Sequence, residues 1–209
     1  MPHFWSITIF ERVSVRTPLG LVLAALTLAL AGCGGSGPAF KSADITGADY
    51  GKDFALTDHT GKARTLGDFR GKVVVMFFGF TRCPDVCPLT LAELKAVKEQ
   101  LGEEGKRLQV LFVTVDPERD TQKLLADYVP AFESSFLGLY GNMAATAKVA
   151  KDFRVFYQKS PGKTPESYTM DHTAGSYVFD PQGRLRLFAR HGSAVNLVDD
   201  IRILLSTSG

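Results

Sequence analysis

The sequence predicts an α/β fold, a central mixed sheet flanked by helices, and three observations carry that expectation. Residues 73–80 (VVVMFFGF) and 108–115 are continuous apolar runs of strand length, the pattern of strands buried on both faces. Between them Leu91, Leu94, Val97 and Leu101 recur at helical spacing. Late in the chain, strands at 174–179 and 185–189 flank Asp180-Pro181-Gln182-Gly183, a turn with glycine in its favoured last place. Composition permits such a core, since 45% of the 209 residues are apolar and 22% charged, which excludes a disordered chain.

The remaining elements follow in order. Residues 53–57 and 63–66 flank Asp58-His59-Thr60-Gly61-Lys62, a turn signal that predicts an N-terminal β-hairpin extension. Thr121 is placed to cap a helix running to Val129 and stopped by Pro130; residues 136–140 read as a short strand; Asn142 is placed to cap a helix carrying Met143, Ala147 and Ala150. Ser193 opens a final helix with Leu197, Val198, Ile201, Leu204 and Leu205 inward. A strand, a cysteine motif and a helix near the front, with a hairpin and helix at the back, is the element order of a thioredoxin-like fold. A net charge of +2 gives no polyanion signal, so nucleic acid is not an expected partner.

The N-terminus reads as an address. No charge occurs between Arg16 and Lys41, and the 13-residue apolar run at 19–31 is shorter than the about 20 residues a membrane span needs. It fits the apolar region of a signal peptide. Its end, Leu30-Ala31-Gly32-Cys33, looks like a bacterial lipobox, so the expected division is a lipoprotein signal peptide at 1–32, a lipidated Cys33 and flexible linker at 33–49, and the folded domain at 50–209. The expected location is the periplasmic face of the inner membrane, or the outer leaflet where there is one membrane. An uncleaved anchor is the alternative.

The chemistry lies in residues 77–94. Cys83 and Cys87 stand four apart at a strand-to-helix junction, with Pro84 and Pro88 each disfavouring the α conformation before it. Cys87 is therefore expected near the N-cap with Pro88 at the first helical position, where the helix terminus lowers thiol pKa. Two such sulfurs can close a disulfide or chelate a soft metal, and a five-residue ring gains little as a purely structural disulfide. Outside the signal segment three histidines are available to join them. His59 and His191 are expected in exposed turns, whereas His172 precedes the strand at 174. In a thioredoxin-like fold the loop there faces the cysteine motif and usually holds a cis-proline, for which a histidine stands here. Asp171 is a candidate to orient His172 through its second ring nitrogen.

Three segments now resemble one family in order: Phe80-Thr81-Arg82-Cys83-Pro84-Asp85-Val86-Cys87-Pro88, Val115-Asp116-Pro117-Glu118-Arg119-Asp120-Thr121 and Tyr168-Thr169-Met170-Asp171-His172-Thr173. They resemble the Sco (SenC/PrrC) copper metallochaperones, over roughly residues 54–205. The resemblance implies a thioredoxin-like fold and a copper site, Cu(I) or Cu(II), made of Cys83, Cys87 and His172. It also implies delivery of copper to the CuA centre of cytochrome c oxidase subunit II, or reduction of that subunit's cysteines beforehand. A periplasmic thioredoxin-like reductant and other copper chaperones are the further partners it implies. The segment 116–121 is expected to serve capping and surface ion pairing; the resemblance implies that it lies near the site, which makes partner docking the alternative.

Two other classes remain open at this stage. A thiol–disulfide oxidoreductase or a redox sensor would use Cys83 and Cys87 without metal, though CxxxC departs from the CxxC of general exchangers and leaves His172 without a task. A peroxidase of the peroxiredoxin type would place threonine three residues before its reactive cysteine, and Thr81 is only two before Cys83.

Overall fold

The computed structural model describes residues 39–164 and 167–207, and its folded unit begins at Phe40. In chain order the elements are β1 (Ala43–Asp44), β2 (Leu56–Asp58), β3 (Ala63–Arg64), β4 (Val73–Gly79), α1 (Val86–Leu101), β5 (Leu108–Thr114), α2 (Gln122–Tyr128), β6 (Leu137–Tyr140), α3 (Met143–Asp152), β7 (Tyr157–Ser160), β8 (Thr169–His172), β9 (Gly175–Phe179), β10 (Leu185–Arg190) and α4 (Leu197–Ser206). Eight strands make one sheet in the order β1-β10-β9-β4-β5-β6-β2-β3, with β7 and β8 in a separate two-stranded sheet. The β4–β5 and β5–β6 pairs are parallel and β4–β9 is antiparallel, so the sheet is mixed as expected.

The central strands are apolar throughout because both faces are covered. Val73, Val75 and Phe77 pack with Leu91 and Leu94 of α1 and Ile201 and Leu204 of α4. Their neighbours Val74, Met76 and Phe78 turn to the opposite face, against Val149 and Ala150 of α3 and Phe153. Successive side chains alternate across a strand, so seven consecutive buried residues require two cores. Helix starts follow their caps: Thr121 Oγ1 accepts from Leu124 N at 3.2 Å and Asn142 Oδ1 from Ala145 N at 2.9 Å. The expected N-terminal hairpin forms as β2–β3 and joins the sheet edge through β2 against β6.

Three expectations are corrected. The segment read as linker is partly folded, because β1 pairs with β10 and the buried Asp200 carboxylate accepts from Lys41 N at 2.7 Å and Ser42 N at 2.9 Å. The α-helical end begins at Leu197, after a 3-10 turn at Ala194–Asn196, while the Ser193 hydroxyl donates to Arg190 O instead of capping. The β7–β8 hairpin was not expected; its residues are mostly polar and exposed, with Met170 the buried member. The signal segment at 1–32 and Cys33 lie outside the described residues. Among the described residues no helix is long and apolar enough to cross a membrane.

Asp200 is thus the tie between the N-terminal segment and α4. Asp200→Ala is expected to cost about 1.5–3 kcal/mol, the usual worth of hydrogen bonds to a charged group, in urea denaturation of the folded unit.

Candidate metal centre

The centre is built at the carboxyl end of β4. The strand stops at Gly79, whose carbonyl accepts from Val115 N at 2.8 Å, and the Cys83 amide turns back to Phe80 O at 3.2 Å. Helix α1 is capped at Asp85, so Cys87 lies inside its first turn and Pro88 follows. The expected N-cap at Cys87 is therefore displaced by two residues. In the first turn an amide has no helical carbonyl to bond, so Pro88 forfeits nothing by lacking one and α1 starts before it.

The two thiols are unlike. Cys87 is wholly buried and Cys83 half-buried, and no disulfide joins them. Room for the buried sulfur comes from Gly79: a Cβ there would lie 2.6 Å from Cys87 Sγ and 2.9 Å from the Phe112 ring. The Cys83 pKa is lowered to about 5, chiefly by a hydrogen bond from the Cys87 thiol, then by the backbone amides of Asp85 and Cys87, against the opposing effect of burial. The Cys87 amide stands 3.5 Å from Cys83 Sγ. The hydrogen bond from its own thiol to Cys83, together with desolvation, pushes Cys87 strongly upward. The helix terminus therefore acts on Cys83, which lies outside the helix in front of its free amides, and not on Cys87 inside it. Arg82, next to Cys83 in the chain, is exposed and is not among the causes.

His172 comes from β8, a strand and not the loop expected. Its Nε2 lies 4.0 Å from Cys87 Sγ. The ring meets Phe80 edge-on with centroids 6.0 Å apart, and Nδ1 is 3.0 Å from Thr173 O. That carbonyl takes the place expected for Asp171, whose carboxylate points across the hairpin to the Ser160 hydroxyl, because neighbours in a strand face opposite ways. With Nδ1 protonated towards Thr173 O, Nε2 keeps its lone pair towards the sulfurs. Donors that bond one ion at about 2.0–2.3 Å stand about 4 Å apart, so the Cys87–His172 separation fits a shared metal. Two soft sulfurs and an imidazole suit Cu(I) or Zn. Among the described residues no group of three such donors is already closed around one point.

A family model described as SCO1/SenC matches residues 42–206. The chain belongs to the SCO1/SenC family. It is 41% identical over 153 residues to the mitochondrial SCO2 homolog of Bos taurus, covering 72% of this chain and 58% of that protein, so it spans about three fifths of the length of the curated relatives it matches. Among solved structures, Bradyrhizobium japonicum ScoI with copper bound is 38% identical, covering 74% of this chain and 98% of that one with a TM-score of 0.67. The apo Sco1 protein of Thermus thermophilus is 42% identical, covering 81% and 99%, with a TM-score of 0.72. The fold of this family member is the thioredoxin-like one expected.

The other histidines of this Sco protein are less exposed than expected. His59 accepts from Gly138 N at 3.0 Å through Nδ1, and burial pushes its pKa down against the pull of Asp58. His191 is half-buried with Nδ1 3.1 Å from Thr90 Oγ1, beside the small cavity that Cys87 and His172 line. The largest correction concerns residues 116–121. Thr121 caps as expected, but Asp116 and Asp120 are 1% and 2% exposed, not surface charges. Asp120 accepts from Thr81 Oγ1 and Thr114 Oγ1, each at 2.6 Å, and from Thr81 N at 3.0 Å, and burial raises its pKa. The threonine two residues before Cys83 was the available signal.

Alkylation of the reduced protein is expected to label Cys83 first, with a rate that falls as pH drops through about 5. In Cys87→Ala the midpoint should move upward, because the thiol that donates to Cys83 is gone; a midpoint near the free-thiol value of about 8.5 in the native protein would contradict this geometry.

Proposed function

We propose that this protein carries copper as cargo on Cys83, Cys87 and His172 and passes it to the CuA centre of cytochrome c oxidase subunit II. The observation that carries the reading is the approach of His172 Nε2 to Cys87 Sγ at 4.0 Å, in a chain 38% identical to a Sco protein with copper bound. A thiolate at Cys83 is already favoured, so copper entry has one proton to displace, from Cys87, and the imidazole lone pair faces inward. Affinity falls with acidity because all three donors must be deprotonated. The resemblance to the Sco family supports the oxidase as recipient.

The low pKa of Cys83 beside a buried Cys87 also supports a second reading, reduction of the recipient's disulfide. Cys83 thiolate would attack one sulfur of that disulfide, and Cys87, once deprotonated, would resolve the mixed disulfide. In the location proposed, tethered through Cys33 outside the cytoplasm, the pair must be kept reduced by a thioredoxin-like donor before copper can bind.

Cuprous titration of the reduced protein against a chromogenic chelator tests the reading. Cys83→Ser, Cys87→Ser and His172→Ala should each weaken binding by more than about a hundredfold, since loss of mere outer partners already costs about 10–100-fold. Unchanged affinity in His172→Ala removes it as a ligand, and undiminished disulfide reduction in that variant would favour the second reading.

A further inference from the structure

The loop between β5 and α2 has one grip on each half of the site. Towards the cysteines, Asp120 receives both the amide and the hydroxyl of Thr81, at 3.0 and 2.6 Å, and Thr81 leads directly into the Cys83 loop. Towards the histidine, Tyr168 immediately precedes β8, and its hydroxyl donates to Asp116 Oδ1 at 2.8 Å. The Arg119 guanidinium lies 3.5 Å over the Tyr168 ring, donates to Tyr168 O at 2.8 Å and pairs through Nε with Asp116 Oδ2. Lys159 of β7 adds a second cation 4.7 Å over the same ring and pairs with Glu118 at 2.6 Å. The loop is itself rigid, since Arg119 N and Asp120 N both return to Asp116 O and Asp116 N is held by Thr114 Oγ1.

The need for such a grip follows from topology. His172 ends a hairpin that forms its own two-stranded sheet, outside the eight-stranded one. A lone hairpin is marginal in water and keeps its place only through what it packs against. Met170 is its buried member, while the Thr173–Phe156 bonds at the end away from Tyr168 only prolong its own ladder. The Arg119–Tyr168–Asp116 contact secures the other end. A cation stacked on a ring and hydrogen bonds between partly desolvated charged groups are together strong enough to hold a marginal element.

We infer that residues Asp116–Asp120 form a bracket that sets the separation of His172 from the sulfurs, with Asp120 holding the cysteine loop and Arg119 and Asp116 holding the His172 hairpin through Tyr168. Arg119, Asp116 and Tyr168 are positioning residues: they act on copper only through His172. The functional consequence rests on the copper reading above; the bracket itself does not.

The first measurement uses reduced, metal-free protein. Amide hydrogen exchange in β8 should speed up about tenfold or more in Tyr168→Leu and less in Tyr168→Phe, which keeps the ring under Arg119, while β4 and β5 exchange as in the native chain. Native exchange in β8, or equal acceleration in β4 and β5, overturns the bracket. The second is a double-mutant cycle on cuprous affinity. Tyr168→Leu should weaken binding about tenfold in the native background and leave it unaltered in His172→Ala. An equal loss in both backgrounds overturns action through His172. If His172→Ala alone leaves affinity unchanged, the copper reading fails, while the exchange result still decides on the bracket.

Discussion

Everything in the site depends on one approach: an imidazole nitrogen of β8 coming to 4.0 Å from a sulfur in the first turn of α1, across 85 positions of sequence. Neither partner is free to move there independently. The sulfur is sealed under the sheet in space that only Gly79 leaves open, and the imidazole is turned by Thr173 O on one side and the Phe80 ring on another. Packing fixes the sulfur to within the tolerance of a close-packed interior. The ring is fixed by polar contacts on a small hairpin, which are individually weaker. The site thus joins a rigid half to an adjustable half.

That division suits a carrier. A resident metal is best held by donors that all sit in the core, whereas cargo must leave. The buried Cys87 and the half-buried Cys83 present their sulfurs from one short loop, with protonation split between them: one thiol is held low by the other's hydrogen bond and by helix amides, and the other is pushed up by burial. A pair in that state binds a cation with the loss of one proton and regains it on release. The same asymmetry suits an attacking thiolate beside a buried resolving thiol, which is why copper transport and disulfide reduction are both within its chemistry.

Much of the fold was legible because burial writes itself into the sequence. The apolar runs of β4 and β5, the stripe Leu91–Leu94–Val97–Leu101 and the caps Thr121 and Asn142 each carry a local signal that the structure uses as expected. The β7–β8 hairpin carried none, since residues such as Gln158, Lys159 and Asp171 are polar and exposed and the pairing depends on tertiary anchoring. Cys83, Cys87 and His172 were legible as candidates by motif and position. What sequence could not give was which thiol the helix end would serve, because Pro88 suggested a later helix start than the chain adopts. Asp116 and Asp120 were misread for a general reason: a charged run looks solvated until the threonines, the arginine and the tyrosine that neutralise it are seen in space.

X-ray absorption at the copper edge of the reduced, copper-loaded protein bears most directly on the approach of His172 to the sulfurs. The account predicts an inner shell of two sulfurs and one nitrogen, with the nitrogen and its imidazole ring scattering lost in His172→Ala. A shell without imidazole in the native protein, or one that the substitution leaves unaltered, would contradict it.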